Sequence, residues 1–273
     1  MKIYYPRHIG FCFGVKRAIR MALEAAKSGD RVYSLGPLIH NRQAVEELSR
    51  KGIMPVRRYK DIKGKMVIIR SHGIHPDILQ RLRRGHFTII DATCPKVRRA
   101  QLYVEKLAQE GYYVIIVGEK DHPEVKGLLG YAKGKAGIFR DNLRLRSRKI
   151  GVVPQTTLNI EYLNHAIAKL MPSVLEMKIY NTICYETQIR IHEAIRIAEK
   201  ADIMIIAGGK NSANTTRLHQ ICSRYKPSYH IESVKEISKK WVRRVKSVGI
   251  IAGASTPREQ IRDIIRHLHK INS

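Results

Sequence analysis

Short β-branched and aliphatic runs, each closed by a polar loop and followed by a helical pattern, recur along the whole chain and constrain its fold more than any other feature. Lys65-Met-Val-Ile-Ile-Arg70, Phe87-Thr-Ile-Ile-Asp91, Tyr112-Tyr-Val-Ile-Ile-Val117, Lys149-Ile-Gly-Val-Val153, Ile203-Met-Ile-Ile-Ala207 and Ser247-Val-Gly-Ile-Ile-Ala252 read as strands. They lack the polar/apolar alternation of a half-exposed sheet, so both faces are expected to be buried. Lys2-Ile-Tyr-Tyr5, Arg31 to Leu35 and Val174 to Ile179 read as further, weaker strands. Between them lie helical spacings such as Val15, Ala18, Ile19, Ala22, Leu23 and Ala26, stopped by Gly29. Alternation of this kind predicts an α/β fold with mostly parallel sheets and right-handed crossovers. Ligands bind such sheets outside the carboxyl ends of the strands, so the loops that follow the strands are where function is sought.

At 273 residues and 44% hydrophobic content, the chain supports one large domain or two to three small ones. Its 51 basic and 23 acidic residues leave a net charge of +28, which predicts a surface that attracts anions. Four widely spaced cysteines do not read as a secreted disulfide framework. Met1-Lys-Ile-Tyr-Tyr-Pro-Arg7 has no apolar signal core and no run is long enough to span a membrane, so a reducing, cytoplasmic setting is expected.

In Asp91-Ala-Thr-Cys94-Pro95 the strand ends and proline opens the next helix, which places Cys94 on a helix N-terminus where the dipole favours a thiolate. Cys12, between Gly10 and Gly14, and Cys184, after Asn181-Thr-Ile183, have the same setting ahead of helices. The three stand 82 and 90 residues apart, which suggests three similar α/β units, each contributing one thiol to a shared centre. The corresponding ranges are 1–94, 95–181 and 182–273. Cys222 shares an apolar helical face with Leu218 and Ile221 and reads as core. The separated thiols lack the C-x₂-C pairs of a zinc ribbon, and their spacing alone leaves an iron–sulfur cluster and a three-cysteine zinc site both open.

His40, His72 and His122 each sit in a loop at a strand's end, and Ser212, Asn214 and Ser255 occupy similar loops further on. Imidazole N–H, hydroxyl and amide donors in front of helix N-termini suit an anion, and a diphosphate better than a neutral ligand. Glu124, beside His122, is the acid among these loops and the natural proton donor or relay. Gly130-Tyr-Ala-Lys-Gly134-Lys135-Ala136 has glycines one residue too close for a phosphate-binding P-loop and Ala in place of Ser or Thr. No G-x-G-x-x-G follows a strand, so a nicotinamide or flavin domain is not indicated.

Together, Gly10-Phe-Cys-Phe-Gly-Val-Lys-Arg-Ala18, His40-Asn-Arg42, Ser71-His-Gly73, Asp91-Ala-Thr-Cys-Pro95, His122-Pro-Glu-Val125, Gln155-Thr-Thr157, Ile183-Cys-Tyr185, Lys210-Asn-Ser-Ala-Asn214 and Gly253-Ala-Ser255 resemble the 4-hydroxy-3-methylbut-2-enyl diphosphate reductase family (LytB) over essentially the whole chain. The resemblance implies three α/β units arranged pseudo-threefold around one [4Fe–4S] cluster. Cys12, Cys94 and Cys184 would be its ligands, with one iron left open. It further implies the last step of the non-mevalonate isoprenoid pathway, reductive removal of the substrate's hydroxyl to give isopentenyl and dimethylallyl diphosphates. By motif, His40, His72, His122, Ser212, Asn214 and Ser255 would hold the diphosphate, Glu124 would deliver protons with His122 beside it, and Thr156 would orient the hydroxyl end. Ala213 stands where many relatives carry a second serine. The implied partner is an acidic electron donor, ferredoxin or flavodoxin, with no membrane and a monomer or weak homodimer. The rival class, a basic nucleic-acid-binding protein with a structural cysteine-bound metal, rests on charge alone. With 7% aromatic residues the chain shows no stacking platform for it.

Overall fold

The computed structural model of the chain describes residues 1–7, 9–145 and 147–272. Its elements begin with β1 (Lys2–Tyr4), α1 (Phe13–Ala26), β2 (Val32–Leu35), α2 (Arg42–Arg50), β3 (Ile53–Val56), β4 (Met66–Ile69), α3 (Pro76–Arg84) and β5 (Thr88–Asp91). They continue with α4 (Pro95–Gln109), β6 (Tyr113–Val117), α5 (Pro123–Tyr131), β7 (Ala136–Ile138), β8 (Lys149–Pro154), α6 (Ile160–Leu170) and β9 (Glu176–Ile179). The last are α7 (Tyr185–Ala198), β10 (Ile203–Ala207), α8 (Ala213–Cys222), β11 (Ser228–Ile231), α9 (Lys239–Val242), β12 (Ser247–Ala252) and α10 (Arg258–Asn272). Every expected strand forms. Helix ends fall within a few residues of those the periodicity predicts, and α1 starts at Phe13 rather than Val15.

The chain divides into two compact units, residues 1–16, 39–50 and 185–273 in the first and residues 17–38 and 51–184 in the second. The first unit contains one four-stranded sheet of order β11-β10-β12-β1, and the second contains two, of orders β3-β2-β4-β5 and β7-β6-β8-β9. All strand pairs are parallel. The three sheets therefore share one topology. The leading strand (β2, β6 or β10) lies inside the sheet, the next strand forms one edge, the third pairs on its other side, and a fourth closes the far edge. In the first unit's sheet that fourth place is taken by β1, whose Ile3 is in register with Val248 of β12. The opening strand of residues 1–94 thus completes the sheet built by the chain's last quarter.

Burial explains which strands were legible. β10 and β12 are buried at every position, as is β6 from Val114 to Val117. Ile115, Ile116, Ile205 and Ile250 are fully buried, and each such side chain contributes about 1.5–3 kcal/mol of hydrophobic stabilisation. Edge strands are half-exposed, and three of them, β3, β7 and β11, carry no run that the sequence reading picks out. β3 even contains Pro55, which an edge tolerates because one side of its backbone has no ladder to feed. Cys222 is fully buried among Ala194, Met204, Leu218 and Ile251, and burial pushes its thiol up to about 12, as a core residue requires. The P-loop look-alike is ordinary structure. Gly130 lies inside α5 against the His75 ring, and Lys133 (φ 49°) and Gly134 (φ 86°) make the turn into β7.

Candidate active site

The shared topology places the candidate residues at equivalent points in the three sheets. Five residues beyond the leading strands β2, β6 and β10 stand His40, His122 and Ser212. Just beyond the third strands β4, β8 and β12 stand His72, Thr156 and Ser255, and beyond the fourth strands β5, β9 and β1 stand Cys94, Cys184 and Cys12. Each cysteine immediately precedes a helix, α4, α7 or α1. Each also donates its backbone N–H to a carbonyl in the loop after the third strand of its own sheet: Cys94 to Ser71 (3.0 Å), Cys184 to Thr156 (2.8 Å) and Cys12 to Ala254 (2.9 Å). Cys94 and Cys184 follow Asx turns as well, in which Asp91 and Asn181, three residues upstream, accept from the N–H of Thr93 (3.0 Å) and Ile183 (3.1 Å).

In the second unit, Glu124 is the most heavily constrained of these residues. It lies in the first turn of α5 with 1% of its surface exposed. Its carboxylate accepts from the Thr156 N–H at 2.7 Å and the Thr156 hydroxyl at 2.8 Å. Burial raises its pKa from 4.5 to about 7, against the opposing pull of those two hydrogen bonds. The proline at 123 starts α5 cleanly, and His122 caps it by accepting the Glu124 N–H on Nδ1 at 3.2 Å. That bond leaves the proton of the neutral ring on Nε2, so His122 presents a donor. The His72 ring stands edge-on to it with centroids 5.4 Å apart.

The Cys94 thiol departs from the expectation of a dipole-stabilised thiolate. Burial pushes its pKa above the ordinary value, and the nearby Cys184 and Glu124 add to the rise, while the N–H groups of Lys96 and Val97 pull the other way. In the protein chain itself desolvation outweighs the helix N-terminus, so Cys94 is not an activated nucleophile. A metal would take Cys94 as the thiolate and release that proton on binding. Thiols at equivalent, hydrogen-bonded helix starts are donors that suit an iron–sulfur group, and the four cysteines form no disulfide.

In the first unit, Ser212 caps α8 and accepts the Thr215 N–H, which leaves its hydroxyl proton to donate elsewhere. Asn214, 6% exposed, has an Nδ2 group with no hydrogen-bond partner among the described residues. Such a buried amide costs about 1–3 kcal/mol unless a ligand accepts from it. Ser255 donates its hydroxyl to the His40 carbonyl at 3.0 Å, and a Cβ on Gly209 would come within 2.5 Å of that same oxygen. His40 is therefore held from two sides by the loops that carry Ser212 and Ser255.

Three supporting residues escaped the sequence reading. Arg190, 3% exposed, donates to Ala252 O (3.2 Å) and Gly10 O (2.8 Å), tying the loop before Cys12 to the end of β12. Gln101, 1% exposed, packs over Gly73 so closely that a Cβ there would lie 2.3 Å from its Nε2, beside His72. Gln260 accepts from Asn41 Nδ2 at 3.0 Å, while Asn41 Oδ1 caps α2 by accepting the Ala44 N–H. The first two had a readable signal, a polar residue in the core-facing register of a helix: Thr187, Arg190, Ala194 and Ile197 in α7, and Val97, Gln101 and Val104 in α4.

The family described as LytB protein matches residues 3–269. A 4-hydroxy-3-methylbut-2-enyl diphosphate reductase from Citrifermentans bemidjiense is 42% identical over 278 residues, covering 100% of this chain and 98% of the relative. The reductase of the same name from Aquifex aeolicus is 44% identical, with 97% and 96% covered. A solved structure of (E)-4-hydroxy-3-methyl-but-2-enyl diphosphate reductase, described as the terminal enzyme of the non-mevalonate pathway, is 42% identical and superposes with a TM-score of 0.73 over 99% of this chain and all of that one. The Plasmodium falciparum reductase structure, 28% identical, reaches 0.91 over 97% of this chain and 87% of that one.

Proposed function

The chain belongs to the LytB family of 4-hydroxy-3-methylbut-2-enyl diphosphate reductases, and from that premise we propose how its residues share the work. The protein is an oxidoreductase of the non-mevalonate isoprenoid pathway that takes (E)-4-hydroxy-3-methylbut-2-enyl diphosphate to isopentenyl and dimethylallyl diphosphates. Two electrons and two protons are consumed, the allylic C–O bond breaks and water leaves.

Cys12, Cys94 and Cys184 would hold the family's iron–sulfur group as one [4Fe–4S] cluster, with one iron left open. When bound, such a cluster supplies the electrons and a Lewis-acidic metal for a poor leaving group. His40, His72, His122, Ser212, Asn214 and Ser255 bind the diphosphate. The His122 Nε2 proton, the Ser212 hydroxyl and the Asn214 Nδ2 amide act as donors, and Ser255 also fixes the His40 loop. Holding the diphosphate far from the reacting carbon uses remote binding energy to position the allylic end. Glu124, with a pKa near 7, gives its proton to the departing hydroxyl, and Thr156 orients both partners. When Glu124 is protonated on the oxygen that faces Thr156, it donates to the threonine oxygen, and the threonine hydroxyl turns its own proton toward the substrate.

The observation that carries this reading is the buried Glu124–Thr156 pair behind the Cys184 N–H anchor, which joins a proton donor and a candidate iron ligand in one unit. Purified without oxygen, the protein is expected to be brown with about four irons per chain, and to oxidise a reductant only when the diphosphate substrate is added. A colourless zinc protein would sink the reading.

The electron donor is an acidic protein of the ferredoxin or flavodoxin kind. Phe13 and Tyr185, directly after Cys12 and Cys184, are 61% and 70% exposed, and the chain carries +28 charges with which to attract such a partner. Turnover driven by the acidic protein is expected to fall several-fold between low and physiological ionic strength, while turnover with a small uncharged reductant holds steady. Equal salt responses would remove the steering role. A reducing, cytoplasmic setting suits cysteines that form no disulfide, and since every residue assigned above comes from one chain, a monomer or weak homodimer suffices. No helix among the described residues is long and apolar enough to cross a membrane.

A further inference from the structure

The second unit contains a cavity of about 440 Å³ at the carboxyl ends of β2 and β4, bordered by the start of α5. Leu35, Ile74 and Ile78 line it, half-buried, so part of its wall is apolar and open to a ligand. Arg57, Arg70 and Arg81 line it too, and none of the three is ion-paired among the described residues. Lys126 and Arg58 are compensated, by Asp121 at 3.2 Å and by Asp61 at 2.9 Å. Among the described residues lining the cavity Asp121 is the one acid, and its charge is taken by Lys126.

Arg70 separates this cavity from a chance patch on a basic surface. Its side chain is half-buried over Gly36, where φ is +79° and an added Cβ would lie 2.7 Å from Nη1. The turn after β2 leaves room for the guanidinium, and burial lowers that group's pKa with no counter-charge to offset it. Unpaired cations sharing one cavity repel one another, and their complement is a multiply charged anion. The planar guanidinium fork matches phosphate oxygens in particular. A bare inorganic ion would leave the apolar wall wet, whereas drug-sized sites of this volume bury hydrocarbon.

We propose that this cavity is a second ligand site, which binds an organic phosphate ester with an apolar body. His72, His122, Glu124 and Thr156 do not line it. Gly73 and Pro123 do, so an occupant sits beside the loops that carry the two histidines without replacing the substrate.

Geranyl diphosphate is a suitable probe, titrated by equilibrium dialysis into the anaerobically purified holoenzyme. The wild type is expected to bind one equivalent more than the double variant Arg57→Glu/Arg81→Glu, whose exposed positions spare the fold and whose turnover stays within twofold of wild type. Arg70→Met is expected to weaken the additional equivalent at least tenfold. In wild type the ligand should slow backbone hydrogen exchange in residues 57–59 and 78–81. Equal stoichiometry in wild type and the Arg57/Arg81 variant would overturn the site, and inorganic diphosphate binding there as tightly as the ester would overturn the apolar half of the proposal. Because the readout is stoichiometry rather than activity, its failure leaves the reductase assignment untouched, and failure of that assignment leaves this site standing.

Discussion

Glu124→Gln is expected to lower kcat by roughly 10²- to 10⁴-fold while iron content and substrate affinity stay near wild type, the usual size of a lost general acid. The amide keeps the shape and still accepts the Thr156 N–H, but it has no proton to give. In wild type the donor form is the protonated carboxyl, which predominates below a pH of about 7 and is lost as pH rises through that value. Turnover limited by proton delivery should therefore hold level on the acid side and drop toward tenfold per pH unit above about 7, a limb the glutamine variant lacks. Stability carries the same sign. A carboxyl whose folded pKa lies above its ordinary 4.5 favours the folded state fully below that value and loses its contribution between 4.5 and about 7. That loss is on the order of 3 kcal/mol, so the thermal midpoint of Glu124→Gln should rise relative to wild type across this window and stay ahead above it. A variant with full activity would end the proton-donor role.

Cys94→Ser is expected to abolish the brown chromophore and reduce turnover by more than roughly a thousandfold, because a hydroxyl does not replace a thiolate on iron. Cys12→Ser and Cys184→Ser should behave alike, since each of the three stands at the same point of the same topology with the same backbone anchor. Cys222→Ser is the control. Its sulfur is buried among aliphatic side chains, so iron and colour should survive while stability falls by about 1–3 kcal/mol for the buried hydroxyl. Iron analysis, the visible spectrum and a thermal melt on the four variants separate ligation from folding. Retention of a full cluster by Cys94→Ser would break the proposed ligand set.

Much of this was legible in the chain, for identifiable reasons. Central strands such as Ile203-Met-Ile-Ile-Ala207 announce themselves because both faces are buried. β3, β7 and β11 do not, since an edge strand keeps one side in solvent and its hydrophobic signal fades into the neighbouring turns. His122 and Glu124 were readable from proline between them and a strand before them. Gln260 was not, because the reason for its burial lies 219 residues away at Asn41. Net charge was the weakest guide: +28 suggested nucleic acid as readily as a diphosphate, and the full-length relatives are reductases.

The opening pattern of strand, polar loop and helix was enough to specify parallel α/β sheets, the loops in which chemistry would be found, and the cysteines standing before helices. Local forces carry that information: β-branched runs, helix starts at proline, and side-chain caps act within a few residues of one another. Folding in three dimensions added what no local rule contains. It put β1 beside β12, so that Cys12 occupies in its sheet the place that Cys94 and Cys184 occupy in theirs. It also buried Glu124 against Thr156 until its pKa neared neutrality, and through burial raised the pKa of the Cys94 thiol despite its helix. Desolvation is set by everything packed around a group, so the protonation states on which the chemistry depends could only come from the folded chain.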